Sequence, residues 1–319
     1  MLQEMRLEFV IPVFNEEECL DELMNRLAEL RRQSQSLRIE AIFVDDGSTD
    51  GSLGKLTAAA DQHDFFKVVS LSRNFGHQTA VTAGLDVSTA DVVAIVDADL
   101  QDPPELVLDM YERMAEGYEV VYGQRTQRRG ESLYKRITAN IFYRFMSALC
   151  DTEIPRDTGD FRLMSRRVVE AVGRMPERHR FLRGMVPWVG FRSVAFPYVR
   201  EPRFKGETKY PTRKMLRFAV DASLSFSPAL LGVAVYAGVL IAAAGALAGA
   251  VLTYVRLFTP YAVPGITAVI VAMVILSGIQ ILMLGVTGAY IGRLFEESKR
   301  RPLYFIDRTW NLNRDNQKV

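Results

Sequence analysis

Along the first 125 positions, short apolar runs alternate with longer stretches whose apolar residues fall at helical spacing. Leu7–Val13 reads as a strand that ends in Pro12-Val-Phe-Asn15. Glu16–Arg32 carries Leu20, Leu23, Leu27 and Leu30 three and four residues apart, the signature of one buried helix face. Ile39–Val44 predicts a second strand, stopped by Asp45-Asp-Gly-Ser-Thr-Asp50, and Ser52–Gln62 a second helix. Lys67–Leu71, Gln78–Val87 and Val92–Val96 continue as strand, helix and fully apolar strand. Pro103 and Pro104 suit the first turn of a helix reaching Ala115, and Val120-Val121 close the series. Such alternation predicts an α/β fold: a Rossmann-like, mostly parallel sheet with helices on both faces. Ligands of such sheets sit at the carboxyl ends of the strands.

The pattern changes after residue 210. No charged residue occurs between Asp221 and Arg256, a gap of 34 residues, or between Arg256 and Arg293, a gap of 36. Crossing a bilayer takes roughly 20 apolar residues, so the segments 230–255 and 265–289 predict two transmembrane helices. Lys209, Arg213, Lys214 and Arg217 precede the first, and Arg293, Lys299, Arg300 and Arg301 follow the second, while Arg256–Pro264 holds one basic residue. The positive-inside tendency places both termini and the first domain on the cytoplasmic side of the inner membrane, as a multi-pass protein. The expected organisation is a domain over 1–210, an amphipathic juxtamembrane segment over 211–228, the two spans within 229–292, and a tail over 293–319. Beyond Phe305 the tail is polar and is expected to fray or to contact a neighbouring subunit, which leaves a homo-oligomer open. Gly245-x-x-x-Gly249 offers a close-packing face between spans, a match that so Ala- and Gly-rich a segment also produces by chance.

The composition of the 319 residues, 49% hydrophobic and 24% charged, excludes a disordered, collagenous or disulfide-scaffold chain. Two cysteines, Cys19 and Cys150, exclude a cysteine zinc site and fit a reducing compartment. The net charge of +1 averages unlike parts. Residues 1–124 carry 9 Lys and Arg against 24 Asp and Glu, whereas residues 125–217 carry 22 against 9. This asymmetry suits a cation site beside a surface for anionic partners; two differently solvated faces would give the same numbers.

What stands at the strand ends narrows the chemistry. No G-x-G-x-x-G follows the first strand and no G-x-x-x-x-G-K-[ST] occurs, so dinucleotide and P-loop readings lose their support. Carboxylates stand there instead: Asp45 and Asp46 after the second strand, Asp97-Ala-Asp99 after the fourth. Two carboxylates two residues apart can direct oxygen ligands at one Mg²⁺ or Mn²⁺, which substrate phosphates complete. A bare D-x-D is also a common solvated turn.

Taken together, Ile11-Pro-Val-Phe-Asn-Glu16, Val44-Asp-Asp-Gly-Ser-Thr-Asp50 and Asp97-Ala-Asp-Leu-Gln-Asp-Pro-Pro-Glu105 resemble the signatures of family 2 inverting glycosyltransferases of the GT-A fold. Tyr122-Gly-Gln-Arg125, Asp157-Thr-Gly-Asp-Phe-Arg162 and Phe181-Leu-Arg-Gly-Met-Val-Pro-Trp-Val-Gly190 resemble the polyprenyl-phosphate branch, which includes dolichyl-phosphate mannose synthases and bacterial undecaprenyl-phosphate glucosyltransferases of O-antigen modification. The Q-x-x-R-W motif of processive synthases is missing. The resemblance implies that Pro12, Phe14, Glu16, Asp45, Asp46, Ser48, Asn74 and Asp97 hold the nucleotide, with Phe14 stacking on the base. It also implies that Asp97, Asp99 and Gln101 bind Mg²⁺ or Mn²⁺. Core packing for Phe14 and a turn role for Asn74 are the plain alternatives.

The implied acceptor, a polyprenyl phosphate, is mostly dianionic at neutral pH and attacks the sugar without a general base. It needs charge neutralisation and alignment, which a basic belt with Arg125, Arg128, Lys135, Arg136 and Arg203 can supply. Asp157 and Asp160 join Asp99 as the active-site carboxylates, orienting sugar hydroxyls or, as the resemblance allows, acting as base; Asp160 could instead cap a helix over Phe161–Val172. His63, His77 and His179 are too scattered for a metal site, and Trp188, Phe191, Phe196 and Tyr198 read as packing or interface residues. Lys205-Gly-Glu-Thr-Lys209 reads as a mobile loop over the site. The expected reaction is transfer of one sugar, glucose from UDP-glucose first, with no nucleic-acid partner. N-acetylglucosamine, mannose or a modified arabinose as the sugar, a hydroxyl acceptor, or a nucleotide-sugar binding scaffold without turnover stay open.

Overall fold

The structure is a computed structural model, and it describes residues 5–34, 36–126, 158–201, 229–258 and 265–312. Strand β1 (Met5–Val13) is buried without a break from Leu7 onward, because it lies inside the sheet with a layer on each face. Its neighbours in the chain are α1 (Glu17–Gln33), β2 (Leu37–Asp45), α2 (Ser52–Gln62), β3 (Phe66–Leu71), α3 (His77–Val87), β4 (Val92–Ile95), α4 (Leu106–Ala115) and β5 (Val120–Arg125). Then come β6 (Thr158–Ser165), α5 (Arg166–Gly173), α6 (Leu182–Trp188), β7 (Ser193–Tyr198), α7 (Ala229–Phe258), α8 (Ile266–Ser298) and β8 (Ile306–Trp310). The eight strands lie in the order β7-β5-β6-β4-β1-β2-β3-β8. β1 pairs in parallel with β2 and β4, as do β2 with β3 and β5 with β7, whereas β6 runs antiparallel to β4 and β5, and β8 to β3.

Period-two alternation divides the core between the two faces. Leu7, Phe9, Ile11 and Val13 share one cluster with the α1 leucines at 20, 23, 27 and 30 and with Val107 and Met110 of α4. Ile42, Val44, Val69 and Leu71 meet Ala80, Ala83 and Val87 of α3 in another. α3 approaches closely because Gly84 has no side chain: a Cβ there would lie 2.4 Å from Val10 Cγ1.

Three expectations are corrected. The α4 helix starts at Leu106, so Pro103 and Pro104 lie in the turn before it and not in its first turn. Residues 158–165 form a strand in place of a helix from Phe161; the following helix is capped by Ser165, whose hydroxyl accepts from Val168 N, so Asp160 caps nothing. The tail does not fray at once, because Ile306–Trp310 joins the sheet edge and Tyr304 is buried against α3.

Helices α7 and α8 belong to a second compact unit, and residues from 301 onward belong again to the first. Their 30 and 33 residues measure about 45 and 50 Å at the helical rise. Leu240, Leu247, Ile281 and Leu284 are exposed on them. Among the described residues, Leu276–Ser298 is long and apolar enough to cross a membrane, with mean hydropathy 1.3, and Gly238–Val251 is a shorter apolar stretch. The amphipathic segment 211–228 lies outside the described residues.

Candidate active site

The carboxyl ends of β1 and β2 are interlocked by their loops. Asn15, held at φ 55°, accepts from Thr49 N through its side chain, and its own N–H donates to Ser48 Oγ at 3.0 Å. Glu16 N donates to Ser52 Oγ at 3.0 Å. Asp45 is buried and accepts from Ser48 N; burial raises its pKa against the hydrogen bonds of Ser48. Asp46 accepts from Phe75 N at 2.7 Å and Gly76 N at 2.9 Å, one bond on each oxygen. Burial raises the Asp46 carboxyl too, against these two amides. Asp46 thus anchors the segment that carries Asn74. Gly47, at φ 70°, makes this possible, since a Cβ there would sit 2.6 Å from Arg73 C and 2.7 Å from Asn74 N. Pro12 is buried beneath these loops, whereas Phe14 is 39% exposed beyond the strand end, which is not core packing.

After β4 the chain turns sharply. Leu100 takes φ 58°, unusual for a side-chain-bearing residue, and Asp99 Oδ1 accepts from Gln101 N at 3.1 Å. Gln101 Nε2 donates to Glu201 O, and Glu201 N donates to Gln101 O, which fastens the turn to the segment after β7. Among the described residues, Asp97 Oδ1 is buried without a hydrogen-bond partner. Burial, with Asp160, Asp102 and Asp99 nearby, pushes the Asp97 carboxyl up to about 6 against the opposing charge of His77. A hard-oxygen donor with unmet hydrogen-bonding capacity among other carboxylates fits a divalent cation. Among the described residues, however, no three His, Cys, Asp or Glu side chains form a ready-made ligand cluster.

Asp160, on β6, lies 3% exposed at the centre of a third constellation. Arg183, from α6, binds it in bidentate fashion, Nε to Oδ1 and Nη2 to Oδ2, both at 3.0 Å. From the first turn of α3, His77 Nε2 donates to Oδ2 at 3.2 Å and Gln78 Nε2 at 3.0 Å. Burial alone would raise the Asp160 carboxyl, yet Arg183 and His77 hold it well below the usual carboxylate range. Burial likewise disfavours a charged His77, but the bond to Asp160 and the charges of Asp97 and Asp160 push its pKa up to about 9. His77 Nε2 is also 3.6 Å from Asp97 Oδ1, which links this group to the β4 turn. Arg162, buried on the same strand, donates to the carbonyls of Gly159, Asp160 and Leu182.

Arg125, at the end of β5, stands 3.9 Å from Asp102, whose other oxygen accepts from the Tyr198 hydroxyl and from Arg200 Nε. Asp102 is fully buried and holds Arg200 by a direct hydrogen bond, whereas Arg125 donates through Nε to the Tyr198 hydroxyl at 3.4 Å and faces Asp102 as an opposing charge. Asp157, Arg128, Lys135, Arg136, Arg203 and the loop Lys205–Lys209 lie outside the described residues.

The fold therefore joins Asp97 and Asp160 through His77, which sequence reasoning set aside. Gln78, Asp102 and Arg183 were also missed as site residues. Signals existed: His77-Gln78 directly follows the run containing Asn74, and Arg183 lies inside a motif of the second half.

A mostly parallel sheet with acidic turns after β2 and β4, and no phosphate-cradling glycine loop, is that of a GT-A transferase. The chain belongs to glycosyl transferase family 2, whose family model matches residues 8–173, and it is a glycosyltransferase. It is 45% identical over 312 residues to YkcC of Bacillus subtilis (strain 168), described as an uncharacterized glycosyltransferase, covering 98% of this chain and 96% of that one. It is 36% identical over 304 residues to the prophage bactoprenol glucosyl transferase homolog of Escherichia coli (strain K12), covering 95% and 99%. The bactoprenol glucosyl transferase of Shigella phage SfV is also 36% identical, over 302 residues, covering 95% and 98%.

Proposed function

We propose that the protein transfers a single sugar, with glucose from UDP-glucose as the first candidate, to a polyprenyl phosphate at the cytoplasmic membrane face, inverting the anomeric centre. The lipid-linked sugar would then serve cell-envelope modification. The observation that carries this reading is the end-to-end likeness to proteins named for bactoprenol glucosyl transfer, which includes the C-terminal apolar helices.

The site supports it. Phe14 is available to stack on a base, and Asp45 and Asn74 stand at the adjoining strand ends. Asp97 and Asp99, with Gln101 beside them, would hold Mg²⁺ or Mn²⁺, and the ion when bound neutralises the charge that builds on the departing diphosphate. Arg125 provides a planar, permanently charged donor for a phosphate, hydrogen-bonded to Tyr198 and facing the charge of Asp102. A phosphate nucleophile needs alignment and neutralisation more than deprotonation, which suits a site richer in fixed arginines than in accessible bases.

Connectivity supports a two-span topology. The chain leaves the catalytic sheet before α7 and rejoins it at β8 after α8. A chain that departs from and returns to one domain crosses a membrane an even number of times, which favours α7 and α8 crossing as a pair over a single span. The test is nucleotide release by the purified full-length protein. Release that requires a UDP-sugar, a lipid phosphate and a divalent metal is expected; release with a lipid alcohol in place of the phosphate would contradict the proposal.

A further inference from the structure

We propose that Asp160 is a positioning residue, neither base nor sugar ligand, and that its role is to aim Arg183 at the anionic groups that react beside Asp97. This rests on the transfer reading above and assigns two residues within it.

The first argument is saturation. A carboxylate offers about four acceptor positions. Asp160 already accepts four bonds, from Arg183 Nε on Oδ1 and from Arg183 Nη2, His77 Nε2 and Gln78 Nε2 on Oδ2, all at 3.0 to 3.2 Å. At 3% exposure it is turned into the protein toward these donors, not presented to a sugar hydroxyl or an incoming proton.

The second argument is orientation. Gln78 Oε1 accepts from Leu182 N at 3.0 Å. A backbone N–H can only donate, so this bond fixes the amide with its NH₂ toward Asp160. The starts of α3 and α6 are therefore stapled through one carboxylate on β6. Every donor is determined, and the guanidinium of Arg183 is held in one plane by a two-bond fork.

The third argument is placement. Arg183 remains 29% exposed at its side chain while Asp160 is enclosed. It shares Asp160 Oδ2 with His77, which is itself 3.6 Å from Asp97. A partly exposed, pre-oriented guanidinium separated from the β4 turn by His77 alone is suited to a phosphate oxygen. Nearby Arg162 cannot take this part, since it is buried and donates to three carbonyls.

The experiment is a double-mutant cycle on the full-length protein with Asp160→Asn, Arg183→Ala and both together. It reads kcat, the KM for donor and for lipid phosphate, calorimetric binding of UDP without metal, and the thermal unfolding midpoint. Because Asp160 acts through Arg183, each single variant is expected to lose about 100-fold in turnover, the scale of a misplaced catalytic group. The double variant should lose no more than Arg183→Ala alone. UDP binding without metal should stay within about threefold, and millimolar guanidinium should restore part of the turnover of Arg183→Ala but none of that of Asp160→Asn. Losses that multiply in the double variant, or full turnover in Arg183→Ala, would overturn the proposal. Arg183→Lys keeps the charge without the fork and should fall between wild type and Arg183→Ala, which covers the case of an Asp160 variant that does not fold. Wild-type protein that fails to transfer to lipid phosphate refutes the broader reading instead, so the two failures are distinguishable.

Discussion

Gly47 couples the two loops to which we assign the nucleotide, and Gly47→Ala tests that coupling. The glycine takes φ 70°, a region that costs an L-residue about 1–2 kcal/mol. Its missing side chain is also where the 73–74 backbone passes: the added methyl would lie 2.6 Å from Arg73 C, 2.7 Å from Asn74 N and 3.0 Å from Arg73 Cα. These are main-chain atoms, so no rotamer change relieves the contact, and overpacking of this kind costs about 1–3 kcal/mol. A combined loss of about 3 kcal/mol follows, which lowers the unfolding midpoint of a domain this size by roughly 6–12 °C. Separation of the loops also pulls Asp46 away from the amides of Phe75 and Gly76, so UDP affinity should fall by at least about tenfold. Gly54→Ala is the matched control. Gly54 lies within α2, its Cβ would meet nothing within 4 Å, and alanine there should stabilise by about 0.5–1 kcal/mol. Thermal unfolding and UDP calorimetry of the two variants side by side decide the matter. Gly47→Ala with the midpoint and affinity of Gly54→Ala would refute the close-approach reasoning.

Other positions give equally definite outcomes. Asp46→Ala leaves two amides without their acceptor and should weaken UDP binding by about tenfold or more, with Asp46→Asn intermediate, as read by calorimetry. Ser165→Ala removes the cap of α5 and should cost about 1 kcal/mol in chemical denaturation with turnover unchanged. Lys67 bridges the buried Glu8 and Glu40, and Lys67→Met should cost about 3 kcal/mol at pH 7. Burial would raise Glu40, but Lys67 lowers it below its ordinary 4.5, so the stability it contributes is present above that value and lost as pH falls through the lower, folded one. Without Lys67 the carboxyl shifts upward and protonates in the folded state first, so the destabilisation by Lys67→Met should shrink as the pH drops from 7 to 4. A gap that widens on acidification would contradict the sign.

The sheet was legible where elements are local. The apolar runs of β1 to β5 and the leucine face of α1 each carry their own period, and all were placed within a few residues. β6 was not, because Phe161-Arg-Leu-Met-Ser165 is amphipathic by either period and becomes a strand only by pairing with β4 and β5. β8 is five residues with three polar side chains, and nothing local distinguishes it from a loose tail; its partner is β3, more than two hundred positions earlier. The site shows the same division. The carboxylates announced themselves in pairs, whereas His77 became visible only when β4 and β6 brought Asp97 and Asp160 to it from 20 and 83 positions away. Asp46 was expected at the nucleotide, and its bonds to Phe75 and Gly76 give it the task of holding the neighbouring loop.

The most direct test of the central claim is nucleotide release from a panel of UDP- and GDP-sugars by the purified full-length protein. Each donor is assayed with and without undecaprenyl phosphate, and with Mg²⁺, Mn²⁺ or chelator. The account predicts release from one donor, UDP-glucose first, that needs lipid phosphate and metal together and is abolished in Asp97→Ala. Donor binding without lipid-dependent release from any sugar, or undiminished turnover in chelator, would contradict it.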